Sequence, residues 1–421
     1  MNMQIQPVRT PAEMALIDAF GERLSLLPGN GEVVLKRDAA IEALKAGLPT
    51  RRIESWHYTD LRRLLTTVPA YDDSAKAVAV KPLVAGSPVL ALLNGVAAQK
   101  ASIEGVTVAP VSAKLADGTY APALVPQGDD DAIGALNAAL VADGWFLDIA
   151  DRTMLSTPIE LQNVQAGGQV HARMAVRIGA DAGVTVVERQ TGTGEALVSS
   201  VSNIVVGDNS ELTWLIVQEQ PETTTYLGQL NAWIGKDAKL TLFVMNAGGR
   251  LVRQEVVVRT TGEGADFQLR GVNLLAGDTH TDVTMVLDHA VPHTTSTELV
   301  RNVVTGKAHG VFQGRINVHQ HAQKTDARMA CNTLLLSDDG EFSTKPELEI
   351  FADDVQCGHG ATVTEIERDH LFYLMARGIE EKTARGLLVR AFLAEVIEEL
   401  KNEQIVDALE EKLGEWFQRH G

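Results

Sequence analysis

A chain of 421 residues that is 45% apolar and 22% charged is long enough to bury a sizeable core and has an ordinary globular composition. Its formal charge of −18, from 55 acidic against 37 basic side chains, repels phosphate backbones and argues against nucleic acid as a partner. No apolar run reaches the length of a membrane span, and the first ten residues lack the apolar stretch of a signal peptide, so the expected place is the cytosol, with no membrane anchor.

The chain opens with helical patterning. Met14, Ile17, Leu24 and Leu27 fall at helical spacing, and Pro28, Gly29, Asn30 and Gly31 break the run. Residues 38–46 predict a second helix and 60–65 a short third one. From 68 to 127 the chain turns Pro- and Val-rich, with a strand-like run at Val89–Leu93, and 131–142 predicts another helix.

Near Val170 a repeat begins. Two residues, usually apolar, precede a glycine, and a turn residue and an alternating strand follow it. The glycines are Gly179, Gly207, Gly235 and, in a weaker copy, Gly262, at spacings of 28, 28 and 27 residues. Each unit holds about two strands and two turns, too little to bury its own apolar face, so it must stack on its neighbours. Such stacking makes a parallel β-helix, with Gly and Asp or Asn at its sharp corners. Evenly spaced hairpins in a β-sandwich are the alternative; the constant period favours the coil. Val184, Leu212, Leu240 and Phe267 are then expected to stack.

Beyond Asp369 the pattern is helical again. Leu371, Leu374 and Met375 mark one helix, ended by Gly378. Ala384, Leu387, Leu388, Ala391, Phe392 and Val396 form a stripe on a second, and Ile405, Leu409, Leu413, Trp416 and Phe417 on a third. These helices read as a cap on the open end of the stack. The fold class is therefore mainly β with helical ends. An N-terminal helical region spans 1–85, a β-helix core 86–365 with clear repeats from about 170, and a C-terminal helical domain 366–421.

Motifs for catalysis are missing. The sequence has no phosphate-cradling Gly-rich loop, so no nucleotide of its own is expected, and no Gly-x-Ser-x-Gly, His-Glu-x-x-His or Cys-x-x-Cys. Cys331 and Cys357 are the only cysteines, too few for a four-thiolate cage. Seven of the 11 histidines lie between His280 and His359; His319 and His321, two apart, would share a face on a strand. The run Val355-Gln356-Cys357-Gly358-His359-Gly360-Ala361-Thr362-Val363, read as a strand, puts Val355, Cys357, His359, Ala361 and Val363 on one mostly apolar face, expected to be covered. Gly358 and Gly360 leave the other face bare for a close backbone approach. A thiolate beside an imidazole suits iron or an iron–sulfur unit; a small buried thiol and a hydrogen-bonded core histidine are the plainer reading.

Several stretches resemble the SufB/SufD family of iron–sulfur cluster assembly scaffolds. They are Gly310-Val311-Phe312-Gln313-Gly314-Arg315-Ile316, Ala322-Gln323-Lys324-Thr325-Asp326, Asn332 to Ser337, Thr344 to Ile350, the Cys357-Gly358-His359-Gly360-Ala361-Thr362 run, and Leu371 to Leu374 followed by Arg377-Gly378-Ile379. Near the start, Arg52, Glu54, Trp56, Tyr58 and Thr59 are similar to the family's opening motif. The Cys-x-His-Gly-Ala-Thr form is nearer the SufD branch than the SufB branch, whose chains are longer and richer in cysteine. The resemblance implies a right-handed parallel β-helix that acts as a scaffold and not as an enzyme. It implies a heterodimer with SufB through the β-helices, a SufC ATPase on the C-terminal helical domain, and a transient iron–sulfur cluster shared with SufB. His359, and beside it Cys357, would be the metal-site residues at that interface. When alone, the chain could pair with itself instead.

Overall fold

The computed structural model describes residues 8–420. Among them, nineteen strands form two sheets, one of ten strands and one of nine. Successive strands alternate between the sheets, so the chain winds through about eight turns of a parallel β-solenoid. Only the entry is antiparallel, where Val89–Leu93 pairs with Val96–Gln99 and Val106–Pro110 with Asp143–Ile149. The predicted β-helix is the fold, and helices stand at both ends of the chain.

The repeat works as expected. Val184, Leu212, Leu240 and Phe267 are register partners on consecutive strands of the ten-stranded sheet. Their side chains, with Trp214, Leu242 and Leu269, meet Ile204, Ile234 and Val258 of the other sheet in one continuous core. Each corner glycine donates its backbone N–H to the coil before: Gly207 to Ile178 at 3.0 Å, Gly235 to Val206 at 2.9 Å and Gly262 to Ile234 at 3.1 Å. These glycines are needed for close approach. A Cβ on Gly207 would lie 2.7 Å from the Ile178 carbonyl oxygen, and one on Gly262 2.0 Å from the Lys236 nitrogen.

The left-handed turn falls two residues later, at Asp181, Asn209, Asp237 and Gly264, with φ of 56°, 56°, 50° and 78°. Asp and Asn tolerate this region better than other side chains do. The same corner recurs outside the four legible copies, at Arg152, His293 and Lys324, with φ of 61°, 58° and 64°. Those residue types hide the repeat from the sequence. At each of these non-glycine corners the backbone N–H bonds the next coil, as from Asp181 to Asp208 at 2.9 Å and from His293 to Gln323 at 2.9 Å.

Helices cover the outer faces. Pro11–Arg23, Gly31–Lys45 and Ala132–Leu140 pack with Trp56 over Leu197, Val201, Leu227 and Leu251 of the nine-stranded sheet. Thr10 and Glu13 form a capping box at the first helix start, and the Arg37 guanidinium closes the end of the helix Ala132–Leu140, donating to the carbonyls of Ala139 and Val141.

The C-terminal helices, Arg368–Ala376, Glu381–Ile397 and Glu403–His420, do not cap the stack as the sequence suggests. The last two turn back and lie on the outer face of the ten-stranded sheet, over Val187, Leu215, Phe243, Met245 and Val272. The buried stripe of Glu381–Ile397 is Ala384, Val389, Leu393, Val396 and Ile397; Leu387 and Ala391 of the predicted stripe face outward. Phe392 packs within the chain, 5.1 Å beneath the Arg301 guanidinium, whose Nη2 donates to Glu395 at 2.6 Å.

The corner ladder sets one prediction. Gly207→Ala should cost about 1–3 kcal/mol of stability through forced overlap. Asn209→Gly, which keeps the left-handed φ available, should stay within about 0.5 kcal/mol of the parent. Urea denaturation of both variants measures the contrast.

Candidate functional site

The solenoid stops at the strand Gln356–Thr364, which pairs on one side only, with Asp326–Leu335. Its companion in the other sheet, Glu341–Ile350, is likewise the last strand. No further coil lies over them, and no residue of either strand is fully buried. Both Cys357 and His359 therefore sit on the exposed rim of the stack.

Register fixes their direction. Cys357 stacks on Ala327, His359 on Met329 and Ala361 on Cys331, and all three partners belong to the inner core. Cys357 and Ala361 pack half-buried against that core. His359 is exposed, and Val363 is 40% exposed, so the face expected to be covered is open in this chain. The cause is the missing next coil. Gly358 and Gly360 point the other way, and a Cβ on either would meet nothing within 4 Å.

Burial pushes the Cys357 thiol up from its ordinary value. Cys331, one coil deeper and fully buried, is pushed up to about 11, although Asn302 donates to its Sγ at 3.3 Å. Cys331 is thus a core thiol. The other histidines are structural or peripheral. His289 is buried between Thr294 and Ser296, at 2.7 and 3.2 Å, and burial lowers its pKa to about 4. His280 bonds Thr59 Oγ1 at 2.8 Å and meets the His309 ring edge-on at 4.9 Å. His319 and His321 lie in the turn after the strand His309–Val318, not on a strand, so they share no sheet face.

Thr59 belongs to the N-terminal motif, which acts as a clamp on the nine-stranded sheet. Arg253 is fully buried, pairs with Asp282, donates to the Ser55 carbonyl at 2.7 Å and lies 4.3 Å over the Trp56 ring. Glu54 reaches the last strand of that sheet and takes a 2.9 Å ion pair from Lys345. The motif thereby ties the middle coils to the rim.

One residue two coils below the rim escapes sequence reading. Glu298 stacks between Leu269 and Met329 on the inner face, 2% exposed, with the Ser296 side chain and the Arg270 charge only partly offsetting its burial. Burial pushes its pKa up to about 8. Alternation within Thr295–Val304 carries the signal, but only the register with Met329 and His359 gives it meaning. A cavity of about 670 Å³ opens beside this end, bordered by Cys357, Gly358 and His359 of the last strand and by Arg270, Arg328 and Glu399. Among the described residues, no three His, Cys, Asp or Glu side chains stand close enough to hold a metal ion as the chain stands.

Fold and site together define a parallel β-solenoid that offers a thiol and an imidazole on an uncovered terminal strand. The chain belongs to the family described as "SUF system FeS cluster assembly, SufBD core domain", whose model matches residues 161–392. It is 27% identical to the iron–sulfur cluster assembly protein SufD of Escherichia coli over 402 residues, covering 89% of this chain and 90% of that one. It is 29% identical to SufD of Bacillus subtilis over 297 residues, 68% of each chain, and 30% identical to a SufBD family protein of Synechocystis over 283 residues, 63% of this chain and 62% of the other. This is a SufBD-family protein of iron–sulfur cluster assembly, with relatives named as assembly proteins. None of its helices is long and apolar enough to cross a membrane among the described residues.

The rim geometry is testable by labelling. In the native chain iodoacetamide should modify Cys357 slowly at neutral pH, and Cys331 only after denaturation; mass spectrometry of the digested protein reads both. The buried carboxyl gives a pH prediction. The Glu298 carboxyl has its ordinary value of 4.5 when unfolded and about 8 when folded, so in between the folded chain holds a proton that the unfolded chain has lost. Its contribution to stability therefore falls as pH rises through that window. The stability advantage of Glu298→Gln over the parent should grow from pH 4.5 to pH 8, as read from denaturation midpoints.

Proposed function

We propose that this chain is a scaffold subunit that pairs with SufB through the terminal strands of its solenoid, so that a nascent iron–sulfur cluster forms at the shared rim. The observation that carries this reading is the uncovered strand Gln356–Thr364, with Cys357 and His359 turned toward the open end of the core. An unpaired strand edge is a template for another strand, and the bare outer side of Gly358 and Gly360 allows close approach. Covering the rim would exclude water from His359 and strengthen its hold on a metal. With a single rim thiol here, the partner has to bring the remaining thiolates. The cluster is cargo shared between the subunits, and the chain itself works in the cytoplasm without catalytic machinery of its own.

The SufC ATPase would sit on the C-terminal helices. The helix Arg368–Ala376 buries none of its residues, and Phe372 and Tyr373 are 73% and 57% exposed. Beside it, Leu387 and Ile366 border a second cavity of about 810 Å³. Nucleotide-driven movement of SufC there would reach the rim through the short link from Thr364 to Arg368. Self-pairing of the isolated chain would use the same strands.

His359→Ala, co-expressed with normal SufB and SufC, should assemble a complex of normal size and lose about 10–100-fold in cluster formation. Cys357→Ala should lose less, and His319→Ala should behave as the parent. Absorbance with iron and sulfide analysis reads the yield. Normal cluster yield in an intact His359→Ala complex would make His359 a bystander and end this reading.

A further inference from the structure

The outer face of the ten-stranded sheet changes character as it nears the rim. One column runs through Val217, Met245 and Val272, apolar and covered by the C-terminal helices, and then turns polar at Arg301, Asn332 and Thr362. Those three side chains are joined. Arg301 is 8% exposed; its Nη2 donates to Glu395 of the helix Glu381–Ile397 at 2.6 Å, and its Nη1 to the amide oxygen of Asn332. The Asn332 amide nitrogen donates in turn to Thr362 Oγ1 at 2.7 Å. The path starts on a helix and ends on the terminal strand, three residues from His359.

Fastening the helices does not require this path. Arg270 holds Glu399 one coil earlier, and its other bonds end on Leu269 and Thr297. Beyond Arg270 in its column stand Leu299, Ala330 and Gly360, whose side chains cannot carry a hydrogen bond onward. The path through Arg301 does go on, to a strand that needs a hold. Gln356–Thr364 pairs on one side only, and Gly358 and Gly360 weaken it and offer nothing to grip. Thr362 supplies a handle on the outer side, while His359 faces the inner side of the same strand.

We propose that Arg301 is a positioning residue. Through Asn332 it passes the placement of the helix Glu381–Ile397 to Thr362, and so fixes how the terminal strand presents His359. The inference rests on the scaffold reading above, in which His359 meets the nascent cluster. It gives Asn332 and Thr362, which lie in the family-like stretches of the sequence, one shared task. It also adds a side-chain route from a C-terminal helix to the rim beside the covalent link from Thr364 to Arg368.

The test reads backbone hydrogen exchange of residues 356–364 in the full chain by mass spectrometry, beside cluster yield with normal SufB and SufC. Thr362→Val removes the handle with little change of shape. Glu395→Ala cuts the path at its far end, on the helix. Each should speed exchange in the strand about 2–10-fold, the equivalent of one lost hydrogen bond. The double variant should be no faster than Thr362→Val, because the path is already cut. Thr362→Ser should match the parent, and so should Glu399→Ala, which breaks the neighbouring ion pair. Thr362→Val should also lower cluster yield in a complex of normal size, and Thr362→Ser should restore it. Exchange unchanged by Glu395→Ala, or raised as much by Glu399→Ala, would overturn the proposal, as would parent yield from Thr362→Val where His359→Ala loses it. If His359→Ala destroys the yield while Thr362→Val and Glu395→Ala exchange as the parent does, the positioning path falls and the scaffold reading stands. If exchange follows the path as expected but His359→Ala leaves the yield intact, the scaffold reading falls and the tie from helix to strand stands.

Discussion

A coil of two strands has no inside of its own. Everything else in this molecule depends on that limit, because each coil becomes stable only when another lies in register against it. Register is enforced at the corners. There a glycine lets one backbone settle within bonding distance of the next, and a left-handed residue two places on turns the chain. Inside, the ladder is partly polar. Asn246, Asn273 and Asn302 stand in one column, joined by side-chain bonds of 2.8 and 2.7 Å, so a slip of one residue would break both bonds and bury unpaired amides.

The same rule produces the rim. A stack with no closing element must end in strands that lack a neighbour, and such edges are normally blunted or covered. Here the blunting is partial. Lys345, Glu347 and Glu349 put charge on the outer side of one terminal strand, and Pro346 removes a donor from it, while the other strand carries two glycines, a thiol and an imidazole. The helices that would have made natural caps are committed elsewhere. They are fastened to the flanks by Arg301 with Glu395 and by Lys412 with Glu219, at 2.6 and 3.1 Å. The opening is therefore a consistent feature of the architecture.

How much of this could be read from the chain alone follows from where the information lies. Gly179, Gly207 and Gly235 announce the coil because close approach tolerates only glycine, and Asp181, Asn209 and Asp237 announce the turn because their side chains accept a left-handed backbone. Arg152, His293 and Lys324 take the same conformation against preference, held by the neighbouring coils, and so the repeat looks shorter than it is. Alternation gave the direction of Cys357 and His359 correctly. It could not say whether anything lay above them, since exposure depends on what comes after the last strand and not on the strand itself. Helical periodicity found the C-terminal helices and the buried stripe of the last one, Ile405, Leu409, Leu413 and Trp416, but misjudged part of the stripe on Glu381–Ile397, because Leu387 and Leu393 are equally apolar and only tertiary contact distinguishes them. Glu298 was invisible for a similar reason: its significance is a column of residues about 30 positions apart in sequence, aligned by stacking.

The back-folded helices also set an order of events during synthesis. Val187, Leu215, Phe243 and Met245 form an apolar outer flank whose cover includes Leu409, Leu413 and Trp416. That cover is translated about 170 residues after Phe243, a delay of about 10–30 s at usual elongation rates. During that interval the early coils can stack and seal their interior, yet they expose a greasy wall to the crowded ribosome exit. Newly made chains are then at their most vulnerable to mispairing, and a truncation that removed only the final helix would leave every molecule with part of that wall bare, shielded by Glu381–Ile397 alone.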